Sequence, residues 1–260
     1  MEDDHKLGLD TLWEFLETTS GTDDVSLYLH ALIRMQQPKT IVELGTGFGT
    51  AAFWMALAAK HNGGGIVYTV DDLAVFDQHP ELVASTVSFL AAANLGKLTA
   101  NNASQYFDEV RKSLGLERFL KFIFQRMDLR DPNHFDDYPF HEDDIDLLFA
   151  DFHHGDEDIL DLLGHFLPRM SAVSSLLIRS SPPTITSYLL LERIVTLLNA
   201  GRIPLALAER CRNDLLPIAR TRRFTMIHLT EPTKGVQSGV AWLKIEPVDL
   251  RPHPKSTWSA

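Results

Sequence analysis

Three glycines at every second position, Gly45, Gly47 and Gly49, stand in the run Ile41-Val42-Glu43-Leu44-Gly45-Thr46-Gly47-Phe48-Gly49-Thr50. Glycine has no Cβ, so backbone can approach a ligand closely there. The spacing is G-x-G-x-G. A dinucleotide fingerprint reads G-x-G-x-x-G and would need glycine at position 50, where Thr50 stands, so a diphosphate ligand is the weaker reading. Glu43 lies two residues before the first glycine. A carboxylate beside such a loop suits a cationic amine better than a diphosphate.

Further carboxylates follow at predicted strand ends. Asp71 closes an apolar run 26 residues after Gly45, where an acid can accept both ribose hydroxyls of an adenosine. Asp72 beside it is a second acid at the same end, or a cap of the next turn. Asp128 follows the run Phe122-Ile123-Phe124-Gln125-Arg126-Met127 and can accept an adenine amino hydrogen from there. Each acid alone means little, because loops are rich in Asp. Three at successive strand ends, together with the glycine loop, carry more weight.

A reaction site is suggested by Asp151-Phe152-His153-His154-Gly155-Asp156 after the fourth predicted strand. A histidine supported by a carboxylate can act as general base toward a hydroxyl or amine. His153 or His154, supported by Asp151, is therefore the expected catalytic group. The competing reading is that Asp151 orders the loop and one histidine caps the next helix. Asp151, His153 and Asp156 also have the atom types of a metal site.

The elements that must hold these residues alternate. Helical spacing marks Leu9 to Leu16 and Val25 to Ile33, and Pro38 ends the second segment. Strands are expected at 40–44, 66–70, 119–127, 145–150 and 172–178, with helices at 49–60, 80–93, within 94–117, and at 156–167 and 187–199. Two last strands, 224–229 and 240–245, are separated by a short stretch with Pro232, Gly235 and Gly239, which predicts a hairpin. The fold class is therefore α/β: a doubly wound, mainly parallel seven-stranded sheet with one antiparallel edge strand and an N-terminal helical cap. Residues 1–39 are the cap, 40–247 the main domain and 248–260 an extended tail. The cap is expected to close over the cleft, with Tyr28 and His30 facing the pocket.

This arrangement resembles the class I S-adenosylmethionine-dependent methyltransferases, from about Thr40 to Ile245, with seven predicted strands in the family's order. The segment Gly45 to Ala56 is similar to the small-molecule O-methyltransferase branch. The resemblance implies S-adenosylmethionine as cofactor, with Gly45, Thr46, Gly47 and Gly49 under its methionine moiety. It implies Glu43 near the amino-acid end, Asp71 at the ribose with Asp72 beside it, Asp128 at the adenine, and Asp151 where cofactor meets acceptor. The metal-dependent members resemble this chain at Asp151 but carry an Asp-Asn pair after the fifth strand. Here that strand ends Ile178-Arg179-Ser180-Ser181-Pro182 without a carboxylate, so no metal is expected.

Bulk properties bound the rest. The 260 residues carry a formal charge of −11, which repels phosphate backbones, so no nucleic acid is expected. Arg210, Arg212, Arg220, Arg222 and Arg223 are the one basic stretch and read as solvated surface. Cys211 is the single cysteine, so no intrachain disulfide forms. No signal sequence or membrane span is legible, which predicts a soluble cytoplasmic protein. Trp13, Trp54 and Trp242 read as core aromatics. The expected activity is methyl transfer to an oxygen or nitrogen of a small molecule, with a homodimer left open. The alternatives are another use of the same cofactor, such as aminocarboxypropyl transfer or cyclisation, and a non-catalytic cofactor-binding partner subunit.

Overall fold

The computed structural model describes residues 24–74, 103–131, 134–140, 144–152, 155–180, 185–211, 215–233 and 236–248. The expected helix at 80–93 and residues 1–23 of the cap lie outside them, as do His153 and His154.

Helix α1 (Asp24–Gln36) leads into strand β1 (Thr40–Leu44), and α2 (Thr50–Asn62) follows the glycine loop. Then come β2 (Ile66–Asp71), α3 (Ala103–Ser113), β3 (Leu120–Phe124), β4 (Ile145–Ala150), α4 (Asp156–Phe166) and β5 (Met170–Ser180). The last part holds α5 (Ile185–Asn199), the short helices α6 (Leu205–Ala208) and α7 (Leu216–Thr221), and the hairpin β6 (Arg222–Thr233) and β7 (Val236–Pro247).

The strands form one seven-stranded sheet in the order β3-β2-β1-β4-β5-β7-β6. The first five run parallel, and β7 runs antiparallel to both β5 and β6. The hairpin forms, but its reversed strand is β7, one position in from the edge. The edge strand β6 points the same way as β5. Burial explains the order. Val240, Ala241, Leu243 and Ile245 of β7 are buried, whereas β6 exposes Arg223, Thr225 and His228. A strand covered on both faces takes the inner place, and the more polar one takes the edge.

Helices cover both faces. One core cluster packs α1, α2 and α3 on the sheet through Leu29, Ile33, Phe53, Phe107 and Phe149. The other packs α4 and α5 through Leu163, Phe166, Leu191 and Ile194 against Leu148, Leu176 and Leu243. The described part of the expected cap is α1, and it lies in the first of these layers, with Leu29 and Ile33 wholly buried. His30 packs on Trp54 and His61 of α2, not into a cleft. Tyr28 meets Trp242 edge-on, and the Trp242 indole N–H donates to Ser175 Oγ at 3.0 Å. Among the described residues no helix is long and apolar enough to cross a membrane.

Candidate functional site

The sheet order reverses between β1 and β4, and ligands of open α/β sheets bind at the carboxyl ends of the strands near such a point. A cleft of about 200 Å³ opens there. Leu44, Gly45, Val70, Asp71, Asp72 and Phe152 contribute to its walls, with Gln125 to Met127 and Leu129 on the far side. The walls pair apolar surfaces with two carboxylates, as a flat base and a sugar require.

The glycine loop is held in place by its neighbours. Gly45 (φ +92°) packs so closely on the next strand that a Cβ would lie 2.1 Å from the Asp151 carbonyl oxygen. The Asp151 N–H in turn donates to Leu44 O at 2.8 Å, and the Gly45 N–H donates to Val70 O at 2.9 Å. Gly47 (φ +50°) differs, because a Cβ there would meet nothing within 4 Å. Its α-carbon faces open space. Gly49 (φ +83°) begins α2 with Phe53 and Phe107 against it, so a side chain there would strike the core.

Carboxylates fix the loop as well. Asp71 Oδ2 accepts from the N–H of Thr46 at 2.7 Å and of Gly47 at 3.1 Å, while Oδ1 accepts from Leu73 N at 2.6 Å. Glu43 is 1% exposed and accepts from Thr69 Oγ1 at 2.5 Å. Thr69 Oγ1 is also 2.5 Å from Thr46 Oγ1. A hydroxyl carries one proton. Since Thr69 gives its own to Glu43, Thr46 must donate to Thr69. A relay thus ties the loop to the buried carboxylate.

These positions refine the sequence reading. Asp71 lines the cleft, but most of its acceptor capacity is taken by backbone N–H groups, two of them in the loop. Asp72 also lines the cleft, and its Oδ1 accepts from Ala74 N at 3.0 Å, so it caps the turn and forms part of the wall. Glu43 lies beneath the loop and is not part of the cleft wall. Asp128 was expected at a strand end, but β3 stops at Phe124, opposite Asp71, where its partner strand also stops. Asp128 sits in the turn beyond, accepting from Arg130 N at 3.0 Å, and the cleft is lined by its neighbours Met127 and Leu129 instead.

Just past the end of β4, Asp151 Oδ2 meets Arg179 Nη1 at 3.1 Å. Residue types did not single out Arg179. The signal was positional, the second last residue of β5 at the same sheet edge as Asp151. Phe152, Met127 and Leu129 were likewise unmarked and had only their places after strand ends to identify them. Among the described residues no group of three His, Cys, Asp or Glu is placed to hold a metal ion. With Arg179 beside Asp151, a cation binding that carboxylate would have to share it with a guanidinium. Among the described residues, this pairing disfavours a divalent metal at Asp151.

Elsewhere, Arg210 pairs with Glu157 and with Asp161. Burial pushes the Cys211 thiol up to about 11, and it donates to Leu207 O.

Residues 42–178, just over half the chain, match a family model described as a methyltransferase domain. No curated protein matches the chain. Among solved structures, the chain is similar to the O-methyltransferase from Bacillus cereus in complex with SAH, with 13% identity, 91% of each chain covered and a TM-score of 0.52. It is also similar to the O-methyltransferase TomG from Streptomyces achromogenes, involved in tomaymycin synthesis and in complex with SAM, with 17% identity, 95% of this chain and 91% of that chain covered, and a TM-score of 0.47. A third is the SAH-bound methyltransferase PaMTH1 from Podospora anserina, with 15% identity, 90% and 87% coverage and a TM-score of 0.47. At 13% identity the likeness to the Bacillus cereus structure speaks for the fold alone.

Proposed function

We infer the reaction from one premise: this chain belongs to the methyltransferase family. Its cofactor is S-adenosylmethionine, bound in the cleft at the tips of β1, β2 and β3, and its acceptor is an oxygen or nitrogen atom of a small molecule. The observation that carries the reading is the carboxylate-clamped glycine loop, with the open side of Gly47 turned to space and Asp71 and Asp72 in the adjoining wall. The names of the similar structures, which carry SAM or SAH, support the same cofactor.

The residues fit that molecule. Met127, Leu129 and Phe152 offer apolar surface for the purine. Asp72, helped by the remaining acceptor site of Asp71, takes the ribose hydroxyls. The methionine portion passes over Gly45 and Gly47, where no side chain intervenes. The bound cofactor supplies a methyl group on a positively charged sulfur. The chain supplies alignment, since in-line displacement depends mainly on the approach of the two reacting atoms. Asp71 acts as a positioning residue by holding the loop. Asp151, fixed to the loop through its backbone, marks the acceptor side. His153 and His154 directly follow it and are the candidates to take a proton from a hydroxyl or amine acceptor.

The test is to incubate the protein with S-adenosylmethionine and a small-molecule extract and to identify the by-product. S-adenosylhomocysteine is the expected product. Methylthioadenosine would instead place the chain among enzymes that transfer or cyclise other parts of the cofactor. Detection of neither product would instead favour a non-catalytic partner subunit.

A further inference from the structure

We infer that Arg179 is the acceptor-side cation of this site and that it receives an oxygen anion of the acceptor, a carboxylate or an ionised phenol, without a divalent metal. The inference rests on the cofactor reading above and names the substrate class that reading leaves open.

The sheet register carries it. Leu44 pairs with Val70 on one side and Ala150 on the other, and Ala150 pairs with Ile178. The next row therefore runs Asp71, Gly45, Asp151, Arg179. Residues in one row of parallel strands point to one face. Two positions below, Phe149 and Leu177 pack in the core under α1 and α2, so Asp151 and Arg179 point to that same face. Neighbouring strands lie roughly 4.8 Å apart, so the row spans roughly 14 Å from Asp71 to Arg179. The cleft occupies the Asp71 and Gly45 end of this row. The acceptor must approach from beyond the glycine loop, which is the Asp151 and Arg179 end.

The chemistry follows from the two groups there. Arg179 stays charged at any working pH and presents planar N–H donors suited to an oxygen anion. Asp151 meets it through Nη1, which orients the guanidinium along the sheet edge. Both side chains keep part of their surface accessible, 27% for Arg179 and 33% for Asp151, so a ligand can reach the pair. An acceptor that arrives as an anion needs no base at the transfer step. Its oxygen lone pair forms the new carbon–oxygen bond, the carbon–sulfur electron pair returns to sulfur, and the opposite charges cancel.

Calorimetry on the wild type and on Arg179→Met, Arg179→Lys and Arg179→Asp tests this in two stages. S-adenosylhomocysteine is titrated first. Binding to wild type and variants alike is expected, and failure to bind the wild type would sink the cofactor reading itself. The loaded proteins are then titrated with sodium benzoate, with neutral benzamide and with manganese chloride. Benzoate should bind the wild type at least tenfold more tightly than benzamide. The preference should disappear in Arg179→Met and survive in part in Arg179→Lys. Manganese should give no heat with the wild type and should bind Arg179→Asp, where two carboxylates then face each other. Manganese binding to the wild type, equal affinity for benzoate and benzamide, or unchanged benzoate affinity in Arg179→Met would each overturn the proposal. If circular dichroism shows Arg179→Asp to be misfolded, the benzoate comparison decides alone.

Discussion

Asp71 Oδ2 accepts a hydrogen bond from the Thr46 backbone N–H at 2.7 Å, so the end of one strand clamps the glycine loop that leaves the next. Together with the bond from Gly47, it aims both N–H groups toward β2 and fixes the path of the loop. This separates two roles that adjacent acids share. Asp71 shapes the loop, and Asp72 stands in the cleft wall.

Substitutions at the two acids should therefore differ in kind. A hydrogen bond to a charged group contributes roughly 1.5–3 kcal/mol. Asp71→Ala should weaken S-adenosylhomocysteine binding by roughly 10- to 100-fold and also lower the melting temperature. Asp72→Ala should weaken binding roughly tenfold and leave the melting temperature unchanged. Calorimetry and thermal melts on the pair check this. Full affinity in Asp71→Ala would show that the clamp is idle.

The loop glycines should also separate. Gly45→Ala drives a Cβ into the Asp151 carbonyl at 2.1 Å and adds a strained positive φ. We expect a loss of about 4 kcal/mol or failure to fold, near the upper end for single substitutions. Gly47→Ala meets no neighbour, so it should lose only about 1–2 kcal/mol from its left-handed backbone. Its methyl group would project into open space, where the proposed reading passes the methionine portion, so it should fold yet bind S-adenosylhomocysteine poorly. Chemical denaturation followed by ligand titration distinguishes the two.

Cys211 should be nearly inert. Its thiol is pushed up to about 11 by burial, from an ordinary 9.0. At pH 8 its thiolate fraction falls roughly 100-fold below that of an ordinary cysteine, and alkylation rate follows the thiolate. Iodoacetamide labelling followed by mass spectrometry should be slow in the native protein and fast in urea. Equal rates would contradict the burial.

His30 gives the fold an acid-sensitive point. Burial first, then the charges of His61 and Arg34, hold its pKa below the ordinary value, and its Nε2 is buried without a partner. The unfolded chain therefore takes up the proton more readily. The stability this neutral group contributes is fully present above an unfolded value of about 6.5 and is lost as the pH falls toward the lower folded value. His30→Phe should narrow the gap in melting temperature between pH 7.5 and pH 5.5. A gap as wide as in the wild type would place the acid sensitivity elsewhere.

The sequence makes β1, the glycine loop, β2 and Asp71 legible because each is local: a short apolar run, a turn that needs positive φ, an acid at its end. What stays hidden depends on distant partners. The strand β3 stops at Phe124 because β2 stops opposite it, and that leaves Asp128 in the turn beyond and not at a strand end. The strand β5 runs to Ser180 because β7 pairs with it that far, and this brings Arg179 to the edge beside Asp151. The place of β7 inside β6 depends on burial of both its faces, which the hairpin signal alone does not reveal. The helices α6 and α7 escaped the periodicity reading because they span only four and six residues. Glu43 was marked as a carboxylate near the ligand, but its burial under Thr69 and Thr46 depends on the register of β1 with β2.

The decisive measurement is a crystal structure of the wild-type protein grown with S-adenosylhomocysteine. The ligand is expected in the cleft between the glycine loop and Met127, with ribose hydroxyls on Asp72, the thioether sulfur above Gly45 to Gly47, and the sulfur's open side turned toward Asp151 and Arg179. Ligand density elsewhere, or an empty cleft at saturating ligand, would contradict that placement.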